Sequence, residues 1–319
     1  MQMMARHEFW RMQYRKRRYM EHLSDDELYQ RFRDVFINLF IITEENKISP
    51  LIDANGHYWM VTWTHVLEEF VTRFGPYPAG FKTGLTDGFI IPRPDNPLSI
   101  KAVEVFKHVD KSILKPGSYL VKYGKTKYLR QTYERGIIRI APAASYDDPS
   151  HNPAIRDKEL EVYIQPHPSE MKFTAHDGKT GKPKGVFNPI GNLVRITSKT
   201  NYYIYCLSAI LAPRLFLDFD ADSCLIIIKP KEFVVKLLKA FIDKLSGWSG
   251  AGMPVKYFDP LNTNIRSLDI YTQKHFKFSY QKEYRGIWLP PSTVNELDPI
   301  IIEMGSLEDQ CKFIELNKI

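Results

Sequence analysis

The sequence predicts an α+β chain, with a mainly helical N-terminal region over residues 1–112 followed by a mixed β-sheet domain over 113–319. Two observations carry this expectation. Apolar residues recur at helical spacing early in the chain, then alternate in short runs once Lys115-Pro116-Gly117 has been passed. The strands and few helices of the second part follow one another in mixed order, not in the strict alternation of a doubly wound sheet.

The elements follow in order. Ser24-Asp25-Asp26-Glu27 has the form of a capping box with acids in the first turn. Leu28, Phe32, Val35, Phe36 and Leu39 continue at helical spacing, so a helix is expected over 24–42. Two more helices are expected over 64–74 and 98–109, separated by the turn sequences GPYPAG (75–80) and IPRPDNP (91–97). No catalytic pattern occurs in this part. Beyond it come a strand over 118–123, a helix over 125–135 that Gly136 is placed to end, and a strand over 137–141. A turn at 146–149 and a long polar loop precede strands near 160–164, 191–198 and 202–208. Residues 216–220 and 223–229 read as a hairpin around Ala221-Asp222. An amphipathic helix over 232–245, a strand over 284–289 and a last strand over 299–304 complete the series.

Composition narrows the class. With 319 residues, 44% hydrophobic and 25% charged, the chain can bury a sizeable core. No run of eighteen apolar residues occurs, so neither a membrane-spanning helix nor a membrane partner is expected. The basic N-terminus lacks the apolar segment and small-residue site of a secretory signal. Cys206, Cys224 and Cys311 are odd in number and far apart, which argues against a disulfide framework or zinc knuckle and for a cytoplasmic setting.

The net charge of +7 is concentrated at the start: residues 1–23 hold six basic residues against two acids, with Trp10, Tyr14 and Tyr19 between them. Charge neutralises phosphate and rings stack on bases, so contact with RNA or DNA is one reading. A solvated helix whose aromatics dock on the body is another, and an acidic protein partner a third. His176-Asp177-Gly178-Lys179-Thr180 contains Gly-Lys-Thr, but Phe173 stands where a phosphate loop needs its first Gly, so a flexible basic loop is expected. Asp147, Asp148, Asp157, Glu159 and Glu161 form an acidic run of the kind that holds magnesium. Acids around a turn are common without metal, and none is expected here.

Four blocks, taken in order, resemble a widespread, uncharacterised bacterial domain family with an ADP-ribosyltransferase-like fold, found in toxins and phage-defence proteins. They are Tyr119-Leu-Val-Lys-Tyr123; Gly136-Ile-Ile-Arg-Ile-Ala-Pro-Ala-Ala-Ser-Tyr-Asp-Asp-Pro149; Tyr205-Cys-Leu-Ser208 with Leu217-Asp-Phe-Asp-Ala-Asp-Ser-Cys-Leu-Ile-Ile227; and Lys274-His-Phe-Lys-Phe-Ser-Tyr-Gln-Lys-Glu-Tyr-Arg285. Together they span about 170 residues and leave the first 112 uncovered. Leu217-Asp218-Phe219 and Phe278 replace residues that are usually Trp or Tyr in the family, and Lys122-Tyr123 stand where better-known transferases use Arg or His.

The resemblance implies an enzyme that cleaves NAD and transfers ADP-ribose to a macromolecule. RNA or DNA is the expected acceptor over protein, and the biological setting a toxin or phage-defence effector held by an antitoxin. Gln281-Lys282-Glu283 resembles the Gln-x-Glu pair of such enzymes. Glu283 would hold the ribose 2′-hydroxyl and face the oxocarbenium-like charge, and Gln281 would orient the acceptor. From the residues alone, Glu283 and Arg285 share a strand face and also read as a plain ion pair. Lys122 and Tyr123 lie where the first strand meets the cofactor cleft in similar folds. Arg139 would bind the pyrophosphate or else pair with Asp147 or Glu134. Tyr146 would stack on nicotinamide or simply pack, and Ser208 would shape the cleft or be a buried, satisfied hydroxyl. Asp148 reads as a turn cap and His275 as a surface residue. The alternative of another class is a non-catalytic nucleic-acid- or protein-binding module on the same fold.

Overall fold

The computed structural model describes residues 5–51, 54–76, 93–187 and 193–318. Most of GPYPAG, the first two residues of IPRPDNP, and residues 191–192 of an expected strand lie outside these.

The chain opens with α1 (Arg6–Lys16) and α2 (Asp25–Phe36). It goes on through the hairpin strands β1 (Phe40–Ile42) and β2 (Ile48–Pro50), then α3 (Ala54–Phe74) and α4 (Pro97–His108). The capping box forms as expected: the Ser24 hydroxyl accepts from the Glu27 N–H, and the Glu27 carboxylate accepts from the Ser24 N–H. Helix α2 nevertheless ends at Phe36, not at 42. Asn38 turns its amide back onto the Asp34 carbonyl, and the β-branched run that follows pairs as a strand, Ile41 opposite Ser49. In contrast, α3 starts ten residues before the expected 64, because Trp59, Val66 and Phe70 bury one continuous stripe.

Helices α1 and α2 pack on α3 around Tyr14, Met20, Leu28, Phe32, Trp59 and Phe70. Two buried acids of α3 collect the N-terminal arginines. Arg11 and Arg15 each lie 2.5 Å from Glu68, and Glu69 takes Arg18 at 2.9 Å, Arg73 at 2.7 Å and the Tyr14 hydroxyl at 2.5 Å. The basic segment is therefore a docked helix, and Glu68 and Glu69 hold three of the guanidinium groups suggested for phosphate.

The second part contains β3 (Leu120–Gly124), α5 (Thr126–Arg135), β4 (Ile137–Pro142), β5 (Glu161–Ile164), β6 (Phe173–His176), β7 (Pro183–Phe187), β8 (Val194–Thr197) and β9 (Tyr203–Ser208). It continues through α6 (Pro213–Asp218), β10 (Ser223–Ile227), α7 (Pro230–Lys244), β11 (Ser249–Pro254), β12 (Lys256–Phe258), β13 (Gln273–His275), β14 (Glu283–Leu289), β15 (Ile300–Glu303) and β16 (Cys311–Glu315). An antiparallel sheet runs β11-β14-β9-β3-β10-β16, with β4 also pairing β9 and β15 pairing β4. Strands β5–β8 and β6–β7 form separate antiparallel ladders, and β12–β13 a short parallel one. Helices first and antiparallel sheets after them fit the broad α+β class. No helix among the described residues is long and apolar enough to cross a membrane.

Four expectations need correction. Residues 216–220 are not a strand: Pro213 starts α6, Arg214 and Asp218 pair across one turn at 2.9 Å, and Leu215 and Phe216 are buried. The basic loop expected at 176–180 is the turn of a hairpin, β6–β7, whose strands over 173–176 and 183–187 were not expected. The strand at 300–303 is not the last, since β16 closes the sheet edge beside β10. Strand β11 escaped notice because its glycines carry no apolar pattern; they are needed because a Cβ would meet Trp288 at 2.6 Å on Gly250 and Val234 at 2.7 Å on Gly252.

The helical region packs on the turn just before β14. Trp59 stacks on Phe276 at 5.5 Å, and the Arg31 guanidinium lies 4.4 Å over the same ring while pairing both nitrogens with Asp259. The Asn38 amide donates to the Phe276 and Lys277 carbonyls, and Arg214 donates to those of Ile37 and Phe40.

Gly136 ends α5 at φ 66°, and a Cβ there would meet the Gly305 carbonyl at 2.1 Å. Gly117, at φ 79°, has open space around it. Gly117→Ala should cost about 1 kcal/mol through backbone strain alone. Gly136→Ala should cost clearly more, about 3 kcal/mol or above, because strain and a clash combine. Urea unfolding of the two variants checks the difference.

Candidate active site

Strand alternation and one unusual residue set up the site. A 3-10 turn over Phe276–Gln281 leads into β14, and Lys282 between them adopts the left-handed conformation at φ 46°. That reversal lets the Lys282 carbonyl accept from Ala209 N–H at 2.7 Å and puts Glu283 first in the strand, opposite Ser208. Ser208 in turn pairs across to Val121 of β3. Its hydroxyl donates to the Gln281 carbonyl at 2.7 Å and accepts from Ile210 N–H at 3.2 Å, so it staples the turn to β9.

Beside this junction lies a cleft of about 280 Å³. Six of the seven residues expected from the sequence line it: Glu283, Gln281, Lys122, Tyr123, Tyr146 and Ser208. Arg139 does not. On β4 the buried positions are Ile138 and Ile140, so Arg139 alternates outward and is exposed. It also lacks both expected partners: Arg156 pairs with Asp147, and Arg130 with Glu134.

The other five surround Glu283 with defined contacts. Gln281 donates its amide to the Ala154 carbonyl at 2.7 Å. Tyr123 uses its hydroxyl internally, donating to Ile210 O at 3.0 Å and accepting from Ala212 N–H at 2.9 Å, so its ring is what it offers the cleft. Burial raises the Tyr146 pKa well above its usual value, so its hydroxyl stays protonated. The Lys122 ammonium donates to Cys206 O at 2.8 Å and lies 4.4 Å over the Tyr205 ring; burial lowers its pKa. Burial pushes the Cys206 thiol up to about 12, so it stays a thiol.

Behind Glu283 is a buried charge cluster. Arg285, with no exposed surface, donates Nε to Glu283 at 2.8 Å and its two terminal nitrogens to Glu159 at 2.9 and 3.1 Å. Lys274 lies 3.0 Å from Glu283 and 3.4 Å from both Glu159 and Asp157. Burial favours protonating Glu283, but Arg285 and Lys274 outweigh it and hold its pKa below the usual carboxylate range. Three carboxylates face two cations, and the excess shows at Asp157, which burial pushes up to about 6. The expected Glu283–Arg285 pair thus exists within a larger network.

Lys274, Glu159 and Asp157 were not foreseen as site residues. Glu159 and Asp157 looked like part of an acidic run suited to metal. Among the described residues, no group of three or more His, Cys, Asp or Glu is placed to hold one. Asp148 does cap its turn, accepting from Ser150 N–H at 2.8 Å. His275 is half-buried between Phe258 and Phe276, not on the open surface. Compared with known proteins, the chain matches no family model, no curated protein and no solved structure.

Glu159→Gln would leave Arg285 short of a carboxylate in a buried setting and should cost about 3 kcal/mol, read by urea unfolding. Asp157 behaves in the opposite sense. Its folded pKa, about 6, lies above the unfolded value, so its contribution to stability is full below the unfolded pKa and lost as pH rises through 6. Asp157→Asn should therefore lose less stability than the parent between about pH 4 and 7, as unfolding curves across that window would show.

Proposed function

We propose that the chain is an NAD-cleaving ADP-ribosyltransferase whose donor site is the cleft at Glu283. The observation that carries this reading is convergence. Residues from the four separated blocks that resemble the family meet on neighbouring strands, and six side chains line one cleft with an ionised carboxylate among them.

The cleft suits the nicotinamide and its ribose. Val121, Leu207 and Phe219 give apolar walls, and Lys122 supplies positive charge for phosphate, the role first assigned to Arg139, while Lys125 is paired with Asp220 at 2.8 Å. In the reaction, the bond from the nicotinamide nitrogen to ribose C1′ breaks and its electron pair leaves with nicotinamide. The ribose is left electron-poor, and a carboxylate on its 2′-hydroxyl stabilises that state more than the ground state. Glu283 would take this role, with Lys274 and Arg285 fixing its orientation. The Gln281 amide nitrogen is already taken by Ala154, so its carbonyl oxygen is what can receive an N–H or O–H of the acceptor. The net charge of +7 favours nucleic acid as that acceptor, and the resemblance favours a toxin or defence effector.

One observation supports a second reading, a binding module without catalysis. Both Glu283 oxygens already have cationic partners, which would be enough to explain the residue as structural. Glu283→Gln separates the two. Purified protein is incubated with labelled NAD and pools of DNA, RNA and protein. Transfer to one pool, reduced at least about 100-fold in a variant with unchanged circular dichroism, supports the enzyme. Neither consumption nor binding of NAD would leave the structural role.

A further inference from the structure

We propose that the hairpin β6–β7 is an arm that binds duplex DNA by entering its major groove. This deepens the reading above by naming the acceptor class, and it rests on that reading only for the chemistry.

Among the described residues the hairpin pairs with no other strand. Residues from 172 to 186 are exposed almost throughout, with Phe173 and Val186 uncovered on it at 40% and 66%. A lone two-stranded ribbon has no core to hold it and is marginally stable in water by itself. Its dimensions match a B-form major groove, which admits such a ribbon; the deep, narrow major groove of A-form RNA does not.

Charge identifies the occupant. The hairpin carries Lys172, Lys179, Lys182 and Lys184 against a single acid, Asp177. That acid is consumed inside the turn: it accepts from the Lys179 and Thr180 N–H groups at 2.9 and 2.8 Å and pairs with Lys184 at 2.9 Å. Lys172, Lys179 and Lys182 have no carboxylate partner among the described residues. The basic N-terminal segment is the opposite case, since Arg11 and Arg15 are tied to Glu68, Arg18 to Glu69 and Arg17 to Glu170. Three unpaired cations within eleven residues make the hairpin a local concentration of positive charge, whereas four of the six basic residues in 1–23 are held by carboxylates.

Chain continuity links the arm to a strand that borders a second cleft. It leaves from β5 and returns towards β8, and β5 lines a second cleft of about 620 Å³ through Glu161 and Tyr163. Lys274 lines both clefts. The strand from which the arm leaves therefore borders a cleft that shares Lys274 with the cleft at Glu283.

The test is fluorescence anisotropy of a short labelled duplex with the full chain, without NAD, from about 50 to 200 mM salt. Three free lysines predict a slope of log affinity against log salt of about −3, at roughly −0.9 per phosphate contact. The triple variant Lys172→Gln, Lys179→Gln, Lys182→Gln should lose most of that slope and bind at least tenfold more weakly, with an unchanged melting temperature. Duplex RNA and single-stranded DNA should bind less tightly than the DNA duplex. Equal binding by the variant, a preference for RNA or single strands, or no binding would each overturn the proposal. Glu283→Gln keeps the two questions apart. DNA binding without transfer in the parent protein would sink only the chemistry. Transfer to RNA or protein without DNA binding would sink only the arm.

Discussion

Arg285 sets the terms for the rest of this molecule. A guanidinium with no exposed surface must be met by carboxylates at hydrogen-bond distance, because an uncompensated buried ion costs several kcal/mol. Glu159 and Glu283 meet it, and Lys274 then answers the surplus they create. Residues 148–160 have neither helix nor strand of their own. The cluster gives that segment its position, and the position in turn places Ala154 and Ile155 on the wall of the cleft.

The same cluster explains how a carboxylate can sit ionised in an enclosed, largely apolar site. Glu283 is held from behind by cations, from its backbone by the Tyr257 hydroxyl at 2.7 Å, and from the side by the strained Lys282. Strain at such a position persists only when its surroundings over-determine it. Here they do so through the Ser208 staple on one side and the helical layer on the other, with Trp59, Arg31 and Asn38 all bearing on the turn that carries Gln281. Among the described residues the first hundred contribute no side chain to the cleft, yet they brace the element that presents two of them.

Local physics was legible in the sequence, and distant partnership was not. The capping box of α2 and the Gly136 stop of α5 depend on residues a few positions apart, and both are present as read. Six cleft residues were found because they sit inside short motifs at strand ends. Arg139 failed because the motif fixed its strand but not its face. Glu159 was missed because its partners Arg285 and Lys274 are 126 and 115 residues away, a separation that leaves no mark on spacing. The charge of residues 1–23 misled for the same reason: Glu68 and Glu69 lie more than 50 positions downstream of the arginines they neutralise.

The stacking of Trp59 on Phe276 has a temporal side. A ribosome adds roughly 5–20 residues each second, so the helical layer emerges on the order of 10–40 s before the aromatic ring that will cover it. During that interval α3 offers Trp59 and its apolar neighbours to whatever else is in solution. The nascent chain is then a natural client for a chaperone that shields aromatic surface, and slowing translation between α3 and β13 lengthens its exposure.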